Sequence, residues 1–427
     1  MDITVNPSSR QLAELFVRNI PEDDADLEQS VRAIIDDVRR NGDEALKRLA
    51  RQFDKADPDT IEVSRSRLEQ AADEVSPEVL DAMRKAAANI ASFHKAQLVD
   101  PIVVETQPGV TCVQRQVAIP RVGLYIPGGR APLFSTVLML AVPARLAGCR
   151  EVVLCTPAGA GGHIAPEILA AAAICKVDRV FAVGGAQAIA AMAYGTESVP
   201  RVNKIFGPGN RYVTKAKQLV SLTTAIDMPA GPSEVMVMAD DEANPSYVAA
   251  DLLSQAEHGP DSQSVLLCLS EKFAHRVIEQ VDRLRLQLSR ADCIDSSLAK
   301  SHIIVLPDRR SMIDAANLYA PEHLIIAMRD ASETASFTTE AGSVFIGDNA
   351  PESAGDYASG TNHTLPTGGW ASALSGVNTD SFMRRVTYQT LTRDGLRLLA
   401  PVITSMARAE GLDAHALAVT IRIENED

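Results

Sequence analysis

The sequence is short of several things, and each shortage removes a class of function. No uninterrupted apolar run is long enough to cross a bilayer, and residues 1–22 carry acids without an apolar core segment. Neither a membrane span nor a signal peptide is therefore expected, and the expectation is a cytoplasmic protein with no membrane partner. There is no Cys-x-x-Cys pair. The six cysteines, at positions 112, 149, 155, 175, 268 and 293, sit mostly in apolar surroundings such as Val152-Val153-Leu154-Cys155. They read as reduced core thiols, so any metal has to rely on histidine, carboxylate or amide ligands. Positive charge is also scarce: 41 Lys and Arg against 55 Asp and Glu leave a formal net charge of -14. That excludes a nucleic-acid partner, whose binding would depend on neutralising phosphates.

What is present is globular. With 427 residues, 46% hydrophobic and 22% charged, the chain exceeds what one core organises, and two or more domains are expected. Ser8 or Ser9 caps a short amphipathic helix carrying Leu12, Leu15 and Phe16, too small to stand alone and expected to dock elsewhere. Leu27, Val31, Ile34, Ile35 and Val38 repeat at helical spacing until Asn41-Gly42. Another helix starts at Ser76, with Pro77 in its first turn, and runs to about His94 on Val79, Leu80, Met83, Ala87 and Ile90.

From Val122 one unit repeats: a short apolar strand, a glycine turn, an Ala-rich helix. Strand 122–126 leads to Pro127-Gly128-Gly129 and a helix around 137–146. Strand 180–183 leads to Gly184-Gly185-Ala186-Gln187 and a second helix. Strand 205–206 leads through Gly207-Pro208-Gly209-Asn210 into 212–217, and 152–155 with 159–162 is a looser copy. Such alternation predicts a parallel sheet with right-handed crossovers, with the glycine turns at the carboxyl ends of its strands. None of these turns is a complete G-x-G-x-x-G, and one alone is an ordinary tight connection. Several on one edge, carrying Tyr125, Gln187 and Asn210, point to a nucleotide.

Strands at 235–238, 265–269, 303–306 and 344–346 predict a second α/β layer system, with a boundary at 229–233. Residues 348–379 form a long polar loop, of a kind uncommon unless functional. The tail from Leu399 is helical, breaks at Gly411 and resumes at Ala414.

Chemistry-bearing residues cluster in the second half. The helix carrying Val248, Leu252, Leu253 and Ala256 is ended by Gly259-Pro260, and Gln255 and His258, three apart, share one side of its last turn. They offer half of a metal site, although a lone histidine there is more often a helix cap. Glu322 and His323 are two adjacent bases of different ordinary pKa, suited to more than one proton transfer. Neighbours on a regular strand face opposite ways, so 321–323 is expected to lie before the strand 324–327, not in it. Gly355-Asp356, Asn362-His363 and Glu410 with His415 complete the set.

Taken together, Gln255-Ala256-Glu257-His258-Gly259-Pro260-Asp261, Pro321-Glu322-His323-Leu324, Ser353-Ala354-Gly355-Asp356-Tyr357, Ser359-Gly360-Thr361-Asn362-His363, Gly207-Pro208-Gly209-Asn210 and Ala230-Gly231-Pro232-Ser233-Glu234 resemble the histidinol dehydrogenase family over nearly the whole chain. The resemblance implies a homodimeric enzyme that oxidises L-histidinol to L-histidine with two NAD and bound zinc. It implies zinc ligands at Gln255, His258, Asp356 and His415, and catalytic bases at Glu322 and His323. Substrate contacts are implied at Ser233, Gln255, His258, His323, Asp356, His363, Glu410 and His415, with Tyr125, Gln187 and Asn210 lining the NAD site. Glu410 and His415 would arrive from the partner subunit.

The implied fold is α/β, with two incomplete Rossmann-like parallel-sheet domains plus small helical N- and C-terminal units that interlock in a dimer. Its divisions would be a 1–22 arm, a domain of 23–124 with 232–378 carrying most site residues, a domain of 125–231 for NAD, and a helical tail of 379–427. From the residues alone, the amide ligand leaves manganese open beside zinc. Two other readings also stay open: a relative acting on another small polar alcohol, and a non-catalytic nucleotide-binding protein.

Overall fold

The computed structural model describes residues 1–18, 25–56, 60–128, 132–159, 161–228 and 231–424. Gly129, Pro229 and Ala230, used above, lie outside the described residues. Strands are labelled in chain order: β1 (Asp2–Val5), β2 (Ile102–Gln107), β3 (Val110–Ala118), β4 (Arg121–Tyr125), β5 (Glu151–Thr156), β6 (Arg179–Ala182), β7 (Lys204–Phe206), β8 (Ala225–Ile226), β9 (Glu234–Ala239), β10 (Gln263–Cys268), β11 (His302–Val305), β12 (His323–Ala327), β13 (Ser343–Ile346) and β14 (Met383–Leu391).

Both predicted parallel sheets are present. The first has the order β6-β5-β4-β7-β8, all parallel. Its strands are apolar on both faces because helices cover both: Val152 and Leu154 of β5 feed one core, and Val153 and Cys155 feed the other. On one side lie the helices Pro77–Lys95, Phe134–Leu146 and Pro166–Ile174, packing Leu80, Met83 and Ile90 with Leu138 and Ile168. On the other lies Ala25–Leu49, broken at Gly42 where the stop was expected, which packs Leu27, Val31 and Ile35 on Phe181 and Ile189.

This packing departs from the expected division at one point. The helices within 23–124 cover the glycine-turn sheet and not the sheet of 232–378. Amphipathic spacing shows that a helix face is buried, but not against which sheet.

The second sheet has the order β1-β11-β10-β9-β12-β13, also all parallel. The N-terminal arm docks on it. β1 extends its edge beside β11, Ser8 closes a capping box on the helix Ser9–Leu15, and Phe16 meets the Tyr319 ring edge-on at 4.9 Å. A third, antiparallel sheet, β14-β3-β2, was not foreseen. The segment 379–427, expected to be helical, instead contributes β14 before its helices Arg393–Ala409 and Asp413–Glu424, which part at Gly411. Among the described residues no helix is long and apolar enough to cross a membrane.

In the first sheet the chain runs outward from β4 to β6 and returns to β7, so strand order reverses between β4 and β7. Ligands of open α/β sheets gather outside the carboxyl ends of the strands at such a point. Here Gly207, with φ +120°, passes so close to β4 that a Cβ on it would overlap the Tyr125 carbonyl. A buried ion pair fixes the turn: Lys217 Nζ donates to Gly207 O at 2.8 Å, and Asp227 Oδ2 accepts from Gly207 N at 2.8 Å. Gly207→Ala should therefore lower unfolding stability by about 2–4 kcal/mol. Urea denaturation measures this, and an unchanged midpoint would contradict the close approach.

Candidate metal and catalytic site

The second sheet carries its chemistry at the amino ends of its strands. Ser233 precedes β9, Glu322 precedes β12, and the helix Pro245–Ala256 leaves the carboxyl edge and runs back to the same end. That helix starts cleanly, with the Asn244 side chain accepting from Ser246 N at 2.9 Å and Pro245 in its first turn. It stops at Ala256, three residues before Gly259, and its last turn tightens as His258 N donates to Gln255 O at 3.2 Å.

Gln255 is fully buried, and among the described residues neither its amide oxygen nor its amide nitrogen has a hydrogen-bond partner. An unpartnered buried amide is costly, and a cation or substrate group on the carbonyl would relieve the cost. His258 Nδ1 lies 3.1 Å from Ser254 O. A carbonyl only accepts, so Nδ1 carries a proton, and the neutral tautomer that fits this bond has its lone pair on Nε2, as a metal ligand needs. Nε2 faces Asp356 Oδ2 at 3.9 Å.

β12 begins at His323, so that residue lies in the strand, where the expectation had put it before. Both bases still reach one site, because Glu322 falls just outside the ladder. Glu322 Oε2 accepts from Glu234 N at 2.9 Å. His323 Nδ1 lies 3.7 Å from Glu322 Oε2 and 3.6 Å from Glu352 Oε1, and its Nε2 lies 3.6 Å from Asp356 Oδ1.

Sequence reasoning missed Glu352. The polar stretch around it read as loop, yet it opens a short helix, Glu352–Tyr357, that puts Glu352 and Asp356 one turn apart on one face. A buried acid four residues before a candidate ligand was the available signal. Its carboxylate oxygens have no hydrogen-bond partner.

Burial alone would lower the His323 pKa, but Glu352, Glu322 and Asp356 outweigh it and raise the imidazole to about 10. Burial pushes Glu322 up to about 8 against the pull of His323, and Glu352 to about 8 likewise. Burial alone would raise Asp356, but His323, through contact and charge, together with the charges of His363 and His258, holds it below its ordinary value.

Two candidate ligand sets therefore share Asp356. One is Gln255, His258 and Asp356, on two helices that pack together. The other is His323, Glu352 and Asp356, whose ligand atoms lie within 4.8 Å of one another. The His258 Nε2 lone pair and the unpartnered Gln255 amide favour the first, which leaves His323 free to act as a base. Glu410 and His415 are not brought to this edge: both are exposed on the tail helices, which pack on each other and on β14.

His363 joins the two sheet systems. Its Nδ1 donates to Asp356 O at 2.9 Å, and its Nε2 lies 3.3 Å from the Thr136 hydroxyl, which the sequence reading did not pick out. Asn362 Nδ2 donates to Met139 O at 2.6 Å, docking the same loop on the helix after β4. On the first sheet, the Tyr125 hydroxyl accepts from Gly185 N at 3.1 Å, next to buried Gln187. Asn210 caps the helix Arg211–Val220, accepting from Tyr212 N at 3.0 Å and Val213 N at 3.2 Å. Both helix N-termini lie at the carboxyl edge, where backbone N–H groups favour a phosphate.

The histidinol dehydrogenase family matches residues 18–423. Histidinol dehydrogenase of Bacteroides fragilis (strain YCH46) is 53% identical over 425 residues, 99% of either chain. That of Aliivibrio fischeri is 52% identical over 403 residues, 94% of this chain and 91% of the relative. The crystal structure of histidinol dehydrogenase from Elizabethkingia anophelis superposes with a TM-score of 0.96 at 46% identity, covering 99% of this chain and 98% of that one.

The two ligand sets make different predictions. Asp356→Asn and His258→Asn should each weaken the binding of an added divalent cation by about a hundredfold or more, and Glu352→Gln by less than about tenfold. Chelator competition with metal analysis reads this directly. Equal loss in Glu352→Gln and Asp356→Asn would move the cation to His323.

Proposed function

Because the chain belongs to the histidinol dehydrogenase family, whose members are NAD-dependent oxidoreductases of histidine biosynthesis, we propose that it oxidises L-histidinol to L-histidine in the cytoplasm, the last step of that pathway. The reaction passes through an enzyme-held aldehyde and sends two successive hydrides to two NAD. The observation that carries this reading is the pair of buried bases, Glu322 and His323, set beside Ser233 at one edge with the unpartnered Gln255 amide and His258 Nε2.

Gln255, His258 and Asp356 would hold zinc, with His415 of a second copy as the fourth ligand. When bound, zinc supplies positive charge that offsets Asp356 and coordination positions for the amine and imidazole of the substrate. Tyr125, Gln187 and Asn210 would hold NAD, which accepts the hydrides. Ser233, His363 and Glu410 would orient the substrate.

The carboxylates around His323 hold its proton in the absence of a cation. Positive charge offsetting Asp356 would release it, and in the first oxidation the neutral imidazole takes the hydroxyl proton as the carbinol C–H leaves as hydride, with the carboxylates at its Nδ1 holding the imidazolium. In the second, Glu322 takes a proton from water as its oxygen adds to the aldehyde carbon, and His323 returns its proton to the aldehyde oxygen, which gives the hydrate and a neutral imidazole. The hydrate then gives up its hydride, and a hydroxyl proton goes to His323. Burial of both bases keeps bulk water from the intermediate.

A homodimer is part of the proposal. Leu398, Val402 and Met406, at four-residue steps along the helix Arg393–Ala409, are each more than half exposed, as are Ile102 and Val103 on the edge strand β2. Apolar faces of this kind are covered in assemblies.

With limiting L-histidinol, about two NADH per substrate are expected, as the chemistry requires. Chelation should abolish the signal and zinc restore it, and one NADH per histidinol would overturn the reading. The Glu322 carboxyl keeps its proton below about 8 and becomes a base above it. Oxidation of supplied aldehyde should therefore accelerate as pH rises through that value. Glu322→Gln should be slower by about a hundredfold or more and lose this dependence.

A truncation after Ala409 should be inactive by itself. Mixed with Glu322→Gln subunits it should recover roughly a quarter of wild-type activity, since half the dimers are mixed and each has one complete site. No recovery in verified mixed dimers would refute the shared site.

A further inference from the structure

We infer that Arg18, on the N-terminal arm, is a positioning residue for Glu322 and acts through Glu234. The inference rests on the proposed role of Glu322 as a base. Arg18 grips the Glu234 carboxylate with both arms of its fork, Nε to Oε2 at 2.6 Å and Nη2 to Oε1 at 3.1 Å. The guanidinium lies over the Tyr319 ring, 3.8 Å from its centroid, and also donates to Tyr319 O. Tyr319 is in turn pinned by its hydroxyl, which donates to Gln263 Oε1 at 2.7 Å. Planar, bidentate and stacked, this is a geometry that lysine cannot reproduce.

Glu234 is 2% exposed, and among the described residues Arg18 is the only cation paired with it. Its backbone N–H makes the one hydrogen bond recorded among the described residues to the Glu322 carboxylate. The same residue is thus held by the arm through its side chain and holds the base through its main chain. Ser233, a proposed substrate contact, is its chain neighbour.

Without Arg18 the Glu234 carboxylate is buried with only the Tyr319 hydroxyl, 3.3 Å from Oε2, and no counter-charge among the described residues, so it must take up a proton or swing toward water. Either response disturbs the peptide that orients Glu322. Glu234 also acts on Glu322 as a like charge and pushes its pKa upward.

The test compares Arg18→Ala, Glu322→Gln and the double variant in two half-reactions. One is the single-turnover NADH formed from L-histidinol, and the other is NADH formed from supplied aldehyde. Arg18→Ala should slow the same half-reaction as Glu322→Gln by about tenfold or more, because a small misplacement of a base is costly. The double variant should be no slower than Glu322→Gln alone, since the two residues act as a unit. Added guanidinium should restore Arg18→Ala, and urea should not. Arg18→Lys, with charge but no fork, should show the same pattern more weakly, and it decides the matter if Arg18→Ala fails to fold.

Losses that multiply in the double variant, or that fall equally on both half-reactions when Glu322→Gln affects one, would reduce Arg18 to fold support and overturn the inference. The role assigned to Glu322 fails separately, if Glu322→Gln spares the aldehyde half-reaction.

Discussion

Four carboxyl groups, those of Glu234, Glu322, Glu352 and Asp356, converge on the amino edge of the second sheet, each less than a tenth exposed. Burying charge at this density is expensive unless each group is paired or neutralised. The compensation can be followed group by group. Arg18 pairs with Glu234, a backbone N–H holds Glu322, and His323 faces the other three. Burial pushes Glu322 and Glu352 up to about 8 against the pull of the one imidazole, and three carboxyl groups around that imidazole raise His323 to about 10. The cluster holds more acid than the nearby cationic side chains can offset, and the arm, the short helix at Glu352 and the loop at His363 are all arranged around that excess.

The same constraint accounts for an inversion between the two sheets. Ligands of open α/β sheets ordinarily gather at the carboxyl ends of the strands, and the glycine turns of the first sheet obey that rule. There the helices Gly185–Tyr194 and Arg211–Val220 present their N-termini, the positive ends of their dipoles. In the second sheet the side chains gather at the amino ends, where the helix Pro245–Ala256 delivers its C-terminal turn. A negative dipole end beside buried carboxylates suits a cation as surely as helix N-termini suit a phosphate. Opposite edges of two similar sheets thus present helix ends suited to ligands of opposite charge.

Much of this was legible in the sequence, and the omissions have physical reasons. The helices ending near Gly42 and His94, and the strands of both parallel sheets except β1 and the two-residue β8, follow from periodicity and turn residues. The antiparallel sheet escaped because β2 and β14 expose most of their side chains and so lack a buried alternation. β1 escaped because four residues carry no period, and its place is set by pairing with β11 about 300 residues away in sequence, as Asp2 opposite His302 shows. Within the site, motifs singled out Gln255, His258, Glu322, His323 and Asp356. Glu352 escaped because six residues of helix cannot announce themselves. Thr136 escaped because nothing in its apolar helix shows that a histidine from the loop at 363 will meet it.

The arms at the two ends of the chain stand differently toward this edge. The N-terminal arm is already in place, with β1 in the sheet, Phe16 against Tyr319 and Arg18 on Glu234. The C-terminal helices are not: they fold on each other and on β14, and they turn Leu398, Val402 and Met406 outward. On the reading in which a second copy covers that stripe and supplies His415, cation binding and subunit association share a ligand and therefore a coupling free energy. Each must strengthen the other by the same factor. A site built from excess buried acid gains most from such an arrangement, because the cation that offsets the acid is then held fully only in the assembled enzyme.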